Sequence, residues 1–273
     1  MPRFEITRPD GAILRGEHEG HGPDMLLVSG LGGTGGFWKP VVAALSSRFR
    51  LIQFDQRGIA SSSRGIEPVT IATLAEDAAA ILDEIAAGPA ILVGHSTGGC
   101  IVGEMALQDP VAIRGLVLSG AWGKRSRFMT ELFRSRLAVL HTAPREYAAL
   151  AALTSYEPGW LDAHWPVFEA AIAGAPVTTA AQTVVAERID ALLAYDRGAD
   201  LKGLTVPVAV IGAEDDLIVP SFLQRELATL VPPGPLVILD GGGHFFPVSR
   251  TDEYAAHLVR FAEGFGSDRG ESR

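Results

Sequence analysis

The stretch Gly94-His95-Ser96-Thr97-Gly98 decides more about the fold than any other part of the chain. It follows a short apolar run, Ala90 to Val93, and precedes a helical pattern from Gly99 to Leu107. The five residues have the pattern Gly-x-Ser-x-Gly, and a strand, a sharp turn and a helix in this order lift the serine hydroxyl above the edge of a sheet. Small residues at both ends of the pattern allow a tight turn and a close approach of strand and helix. We therefore predict that Ser96 is a nucleophile.

Outward from this turn, short apolar runs alternate with longer helical patterns, which predicts an α/β protein with a mostly parallel eight-stranded sheet covered on both faces. An antiparallel hairpin is predicted at one edge, from Phe4-Glu5-Ile6 and the run Ala12 to Arg15. The alternation stops after the sixth strand, where residues 121–198 carry Ala-rich helical patterns. We predict a core formed by residues 1–120 and 199–273 and a helical lid formed by residues 121–198, above the carboxyl ends of the strands. The polar end, Gly266 to Arg273, is predicted to be disordered.

A serine hydroxyl is a weak nucleophile at neutral pH, so it needs a base, and the base needs an acid that orients it. With a Gly-x-Ser-x-Gly turn the expected chain order is serine, acid, histidine. We predict that the base is His244, which follows the last predicted strand in a glycine-rich loop, Gly241-Gly242-Gly243. The remaining histidines precede the nucleophile, lie within the turn, or fall in helical patterns: His18, His21, His95, His141, His164 and His257.

The acid is predicted in Glu214-Asp215-Asp216, directly after the strand predicted at Val208 to Ile211. Counting from Gly212 favours Asp215, whereas counting from the bracketing prolines favours Asp216. We prefer Asp216 and keep Asp215 as the alternative. If Asp216 is the acid, Asp215 is a solvated loop charge or a turn cap.

The tetrahedral intermediate of acyl transfer needs N–H donors for its oxyanion. One is predicted to be the backbone N–H of Thr97, the residue after the nucleophile. The second is predicted to be the N–H of Leu31, in the loop Ser29-Gly30-Leu31-Gly32-Gly33-Thr34. A phosphate-binding loop is the competing interpretation, but the glycines match neither common phosphate-binding pattern.

Composition narrows the function classes. The net charge of −9 and the lack of a Lys/Arg cluster argue against a nucleic-acid partner. With one cysteine, Cys100, an intrachain disulfide cannot form, and no Cys/His cluster has zinc-ligand spacing. No apolar run has the length of a membrane span or a signal peptide. We expect a cytoplasmic protein with a small-molecule substrate, no metal and no membrane partner, and a homodimer is left open.

Together these motifs, with Asp55-Gln56-Arg57-Gly58 and Asp216 to Pro220, resemble those of the α/β-hydrolase fold superfamily over nearly the whole chain. Within it, the chain is most similar to the group that includes 3-oxoadipate enol-lactonase and the aminoacrylate hydrolase of pyrimidine breakdown. The motifs that resemble the latter are Ser29 to Gly35, Phe37-Trp38, Asp55 to Gly58 and Asp215 to Pro220. The resemblance implies a Ser-His-Asp hydrolase without a metal or organic cofactor, and it supports Asp216 over Asp215. The chain departs from many relatives by having Ser29 rather than histidine before the oxyanion loop.

The favoured hypothesis is hydrolysis of a small carboxylic ester, lactone or enol-lactone through an acyl-enzyme. Alternatives on the same triad are cleavage of amide, enamine or C–C bonds, or a cofactor-free haloperoxidase or perhydrolase side activity. A non-enzymatic ligand receptor is disfavoured. Arg125 and Arg127 are candidates for binding a substrate carboxylate, although a solvated surface position is the more ordinary interpretation. Aromatic side chains that could line a substrate pocket are Phe37, Trp38, Trp122, Phe128, Trp160, Trp165 and Phe245.

Overall fold

A computed structural model describes residues 2–267 of the chain, with side chains described to residue 265. Its sheet has eight strands: β1 (Arg3–Thr7), β2 (Ile13–Glu19), β3 (Asp24–Val28), β4 (Arg50–Asp55), β5 (Ala90–His95), β6 (Ile113–Ser119), β7 (Val208–Ala213) and β8 (Leu236–Leu239). The strand order is β1-β2-β4-β3-β5-β6-β7-β8. β1 and β2 form the predicted antiparallel hairpin at one edge, and the strands from β4 to β8 pair in parallel.

The helices within the described part of the chain are α1 (Lys39–Leu45), α2 (Ile71–Ile85), α3 (Thr97–Gln108), α4 (Arg127–Thr142), α5 (Pro144–Ser155), α6 (Pro158–Ala163), α7 (Trp165–Ala173), α8 (Thr179–Ala194), α9 (Ser221–Leu230), α10 (Phe246–Ser249) and α11 (Thr251–Ser267). Five of them, α4 to α8, lie between β6 and β7 and inside the segment predicted to be helical. We call these five helices the lid. The others flank the sheet.

The central strands are apolar along their whole length because both faces of the sheet are covered. In β5, Leu92 belongs to the hydrophobic core on one face, while Ile91 and Val93 belong to the core on the other. Every residue of β5 is buried, as is every residue of β3 and β7. A parallel sheet between two helical layers requires such continuous apolar runs, and the predicted α/β fold with its mostly parallel eight-stranded sheet is confirmed.

The helices begin where the sequence supplies caps. Thr70 precedes α2, and its hydroxyl accepts a hydrogen bond from the N–H of Thr73. At the other end of the chain, α11 continues to Ser267, beyond the start of the tail predicted to be disordered. Its Phe265 packs against Gly115 of β6, which accounts for helical structure in that region. The rest of the predicted tail, residues 268–273, lies outside the described residues.

Parallel packing brings the functional loops to one edge of the sheet. β3 and β5 are adjacent, but the chain continues from β3 to β4 on one side and from β5 to β6 on the other. Such a switch point opens a crevice at the carboxyl ends of the strands, where α/β proteins bind ligands. Between residues 2 and 267, no helix is long and apolar enough to span a bilayer.

Candidate active site

Ser96 occupies a strained turn between β5 and α3. Its backbone has φ 57° and ψ −125°, a left-handed φ that non-glycine residues rarely adopt and that costs about 1–3 kcal/mol. The turn needs glycine on both sides, since a Cβ at Gly94 would clash with the carbonyl of Gly98, and a Cβ at Gly98 would clash with the carbonyl of Val28. The strand-turn-helix context predicted around Ser96 is therefore present, and its strain is typical of a nucleophile elbow.

His244 and Asp216 form a buried hydrogen-bonded pair. Nδ1 of His244 lies 2.8 Å from Oδ2 of Asp216, and each residue is 2% exposed. The other carboxylate oxygen, Oδ1, accepts hydrogen bonds of 2.8 Å from the backbone N–H groups of Ile218 and Val219. When Nδ1–H donates to Asp216, Nε2 is the nitrogen that remains available to accept a proton.

The neighbouring carboxylate, Asp215, has a different set of partners. It accepts hydrogen bonds from the backbone N–H groups of Gly242 at 3.2 Å and Gly243 at 2.9 Å. Asp215 therefore caps the glycine-rich loop that carries His244, whereas Asp216 contacts the imidazole itself. The geometry favours Asp216 as the acid. The hydrogen bonds of Asp215 match the turn cap expected of it if Asp216 is the acid.

The loop after β3 lies directly against the nucleophile. A Cβ built on Gly30 would lie 2.8 Å from Cβ of Ser96 and 3.2 Å from its Oγ. Within the described part of the chain, none of the backbone hydrogen bonds uses the N–H of Leu31 or of Thr97 as a donor. Neither N–H is thus occupied by a backbone acceptor in the described residues, and the role of the two groups as oxyanion donors stays a prediction.

Arg188 of α8 was not anticipated from the sequence, where Ala-Glu-Arg-Ile-Asp is typical of an ordinary helix surface. The residue is 1% exposed, and its Nε donates a 2.8 Å hydrogen bond to the carbonyl of Leu31. Its Nη2 donates to the carbonyl of Gly30 at 3.2 Å and to Oε1 of Gln56. Gln56 in turn donates to the carbonyl of Ser29 at 2.6 Å. A lid residue thus holds the loop that carries a predicted oxyanion donor.

Arg188 has no Asp or Glu at ion-pair distance among residues 2–265, and burial lowers its pKa to about 10. It remains protonated at neutral pH, because that pKa is still well above 7. Carbonyl and amide oxygens accept hydrogen bonds from Nε and Nη2, which offsets part of the cost of burying the cation, whereas the buried Nη1 has no partner among residues 2–265.

Replacing Arg188 with methionine is expected to reduce kcat for the ester hydrolysis that the sequence predicts by about 10- to 100-fold, with little change in KM. The reason is that the loop loses the donor for two carbonyls, and small displacements of reacting groups carry costs of this size. Steady-state kinetics measures the effect, with thermal unfolding as the check on folding. Asp190→Asn, an exposed position on the same helix, is the matched control. An unchanged kcat in a folded Arg188→Met protein would contradict this role.

His95, beside the nucleophile, packs among aromatic rings and takes no part in the His244–Asp216 pair. Its ring stacks on Phe37 at 5.2 Å between centroids, and its Nδ1 lies 3.0 Å from the hydroxyl of Ser119. Burial holds the pKa of His95 well below its usual range, and the nearby His244 lowers it further. His95 is therefore neutral and adds no positive charge beside His244, whose ring centroid is 4.9 Å away.

A cavity of about 790 Å³ opens between the elbow and the lid. Ser96, His244 and the loop that carries Leu31 contribute to its wall from the core. Of the aromatic residues predicted to line a pocket, Phe37 and Phe245 do so. The lid contributes aromatic residues that were not among those predicted: Phe133, Tyr147 and Tyr156.

The other five predicted pocket residues lie elsewhere. Trp38 is fully buried beneath the site and stacks on Tyr254, and Trp122 is 3% exposed and packs edge-on against Tyr195. These two side chains fill the core rather than the cavity. The remaining three are lid residues that do not line the cavity.

Phe128 and Trp165 are exposed on the surface over a little less than half of their area, and Trp165 stacks on Phe168. Trp160 stacks on Tyr156 and His164 and lines a separate, smaller cleft. Sequence periodicity cannot fix which face of a lid helix turns towards the core, because neighbouring lid helices decide it.

Comparison with known proteins gives the same class as the fold. The family model described as alpha/beta hydrolase fold matches residues 23–251. A protein of Azorhizobium caulinodans, provisionally named carbamate hydrolase RutD, is 32% identical over 251 residues, covering 92% of this chain and 95% of the relative. The chain therefore belongs to the α/β-hydrolase family, and it is a hydrolase.

Solved structures agree on the fold. A hydrolase from Pseudomonas aeruginosa PA01 superposes with a TM-score of 0.84 at 26% identity, covering 95% of this chain and 97% of the other. The enol-lactonase from Burkholderia xenovorans LB400 superposes with a TM-score of 0.83 at 24% identity, covering 92% of this chain and 97% of the other. These likenesses confirm the predicted fold.

Proposed function

We propose that the chain is a serine hydrolase that cleaves a small carboxylic ester, lactone or enol-lactone through an acyl-enzyme. The observation that carries the proposal is the buried His244–Asp216 pair opening on the same cavity as Ser96 in its strained turn. A cavity of about 790 Å³ suits a small molecule. The similarity to proteins named for lactone and carbamate hydrolysis supports an acyl substrate.

In the proposed mechanism, Oγ of Ser96 attacks the substrate carbonyl while Nε2 of His244 accepts the hydroxyl proton. Asp216 holds the imidazole in the required tautomer and stabilises the imidazolium that forms. The N–H groups of Leu31 and Thr97 stabilise the oxyanion, each worth about 3–4 kcal/mol in the transition state. The intermediate collapses, and the leaving alkoxide takes the proton from His244. Water, deprotonated by the same imidazole, then attacks the acyl carbonyl, and the imidazolium returns a proton to Oγ of Ser96 as the acid leaves.

The proposal is tested by covalent labelling. A fluorophosphonate probe, which reacts with activated serines, is expected to modify Ser96 alone, as shown by mass spectrometry of the digested protein. Heat-unfolded protein is the control, because the reactivity depends on the folded site. Failure of the native protein to label at Ser96 would contradict the proposal.

Cleavage of a C–N bond on the same triad is the second candidate, and the provisional name of the RutD relatives favours it. The two candidates are separated by product analysis on matched substrates, one an ester and the other the corresponding carbamate or amide. Ester hydrolysis with a far higher kcat/KM supports the first candidate, and the reverse ranking supports the second.

A further inference from the structure

Arg136 of α4 lies on the wall of the cavity that contains Ser96 and His244. Among the described residues that line this cavity it is the one arginine, and none of them is lysine, aspartate or glutamate. The two histidines in the wall have other tasks, since His95 is neutral and His244 is paired with Asp216. The cavity thus holds one permanent positive charge.

The donors of Arg136 are poorly satisfied within the protein. Its guanidinium lies 5.1 Å from the ring centroids of both Phe133 and Tyr147. Nη2 makes one long hydrogen bond, 3.4 Å, to the hydroxyl of Tyr147. Nε is shielded from solvent and has no hydrogen-bond partner among residues 2–265. The two rings fix the plane of the guanidinium and leave most of its donors free.

Arg188, which also lacks a carboxylate partner, donates from Nε and Nη2 to carbonyl and amide oxygens. Two further arginines with buried or half-buried side chains are paired with carboxylates. Arg57 is paired with Asp77 and Asp10, and Arg50 is paired with Asp24. No Asp or Glu within the described part of the chain forms an ion pair with Arg136. A guanidinium held by aromatic rings at the edge of a cavity, without a carboxylate, presents a fork that matches a carboxylate ligand.

We infer that the substrate carries a carboxylate apart from the bond that is cleaved, and that Arg136 binds it. This inference rests on the proposed function and names the substrate class: a small ester or lactone with a second, negatively charged carboxyl group. Arg136 takes the role for which the sequence suggested Arg125 and Arg127, because those two side chains are exposed. The neutral ester or lactone group is then oriented towards Ser96 by an anchor at the far side of the molecule.

The test compares substrates that differ only in charge. One pair places the carboxylate on the acyl side: mono-p-nitrophenyl glutarate and its methyl ester. A second pair places it on the leaving-group side: 4-acetoxybenzoate and its methyl ester. The wild-type protein is expected to prefer the anion in at least one pair. In Arg136→Met this preference is expected to fall roughly 10- to 100-fold in kcat/KM, the range for a charged hydrogen bond.

Arg134→Met is the matched control, because Arg134 lies on the same helix, is exposed and pairs with Glu131. It is expected to keep the wild-type charge preference. Arg136→Gln, with thermal unfolding of each variant, guards against a misfolded methionine variant. If Arg136 only packs between the rings, its loss lowers turnover of the charged and neutral esters equally, which would overturn the inference.

Measuring glutarate binding distinguishes a failure of the anion site from a failure of the proposed hydrolase function. Calorimetric titration with glutarate is expected to show binding by the wild-type and Arg134→Met proteins that is weakened in Arg136→Met. If no ester is hydrolysed but glutarate binding depends on Arg136, the proposed function fails and the anion site stands. If esters are hydrolysed without any charge preference and glutarate does not bind, the anion site fails and the hydrolase proposal stands.

Discussion

Ser96→Ala is expected to lower kcat for short p-nitrophenyl esters by about 10⁴-fold or more, because the acyl-enzyme can no longer form and the rest of the triad acts through this hydroxyl. The fold is expected to persist, since alanine at position 96 carries the same backbone strain as serine and removes one oxygen. Stopped assays with purified protein, combined with thermal unfolding, measure both effects.

The control for this variant is Ser61→Ala, at an exposed serine whose hydroxyl bonds Asp55 and which the site does not use. It is expected to retain turnover close to that of the wild type. If Ser96→Ala kept the turnover of the wild type, another residue would have to be the nucleophile, and the proposed serine mechanism would be contradicted.

Asp216→Asn is expected to reduce kcat by about 10³- to 10⁴-fold. An amide at this position can direct its NH₂ group at Nδ1 of His244, which then holds the imidazole in the tautomer that cannot accept the serine proton. The backbone donors of Ile218 and Val219 can still be satisfied by the amide oxygen, so a large loss of stability is not expected. Initial rates across the pH range from 6 to 9 measure the change.

Asp215→Asn is the matched comparison, since the two aspartates are adjacent and differ in their partners. Its amide oxygen can still accept from the N–H of Gly243, so the expected loss of kcat is below about 10-fold. A larger loss in Asp215→Asn than in Asp216→Asn would reverse the assignment of the acid.

The elements of the core could be predicted because each depends on local sequence. Ser96 lies between an apolar run and a helical pattern, and Asp216 and His244 each follow an apolar run that is predicted to be a strand. Parallel strands then bring their carboxyl ends to one edge, so proximity of these residues follows from topology. Their positions in the structure agree with that expectation, while their chemical roles stay proposals until the variants are measured.

The lid could not be predicted in the same detail because its contacts are between helices rather than along the chain. Arg188 and Arg136 have neighbours in sequence that are typical of solvated helices, and only packing against the core buries one and turns the other into the cavity. Trp160 and Trp165 are apolar enough for a pocket, yet the packing of α6 and α7 leaves them on other surfaces. Long-range packing overrides residue type at these positions.

The lid contacts the core at several places, and two of these contacts reach the loops of the candidate site. The carbonyl of Ser155 accepts a 2.7 Å hydrogen bond from the N–H of Phe245, next to His244, and Arg188 grips the carbonyls of Gly30 and Leu31. A side chain on Gly243 would collide with the lid backbone at residues 155–157. The lid therefore connects the loop that carries His244 to the loop that carries Leu31. Exchanging the whole lid for that of a relative would alter the rate of the chemistry along with the choice of substrate.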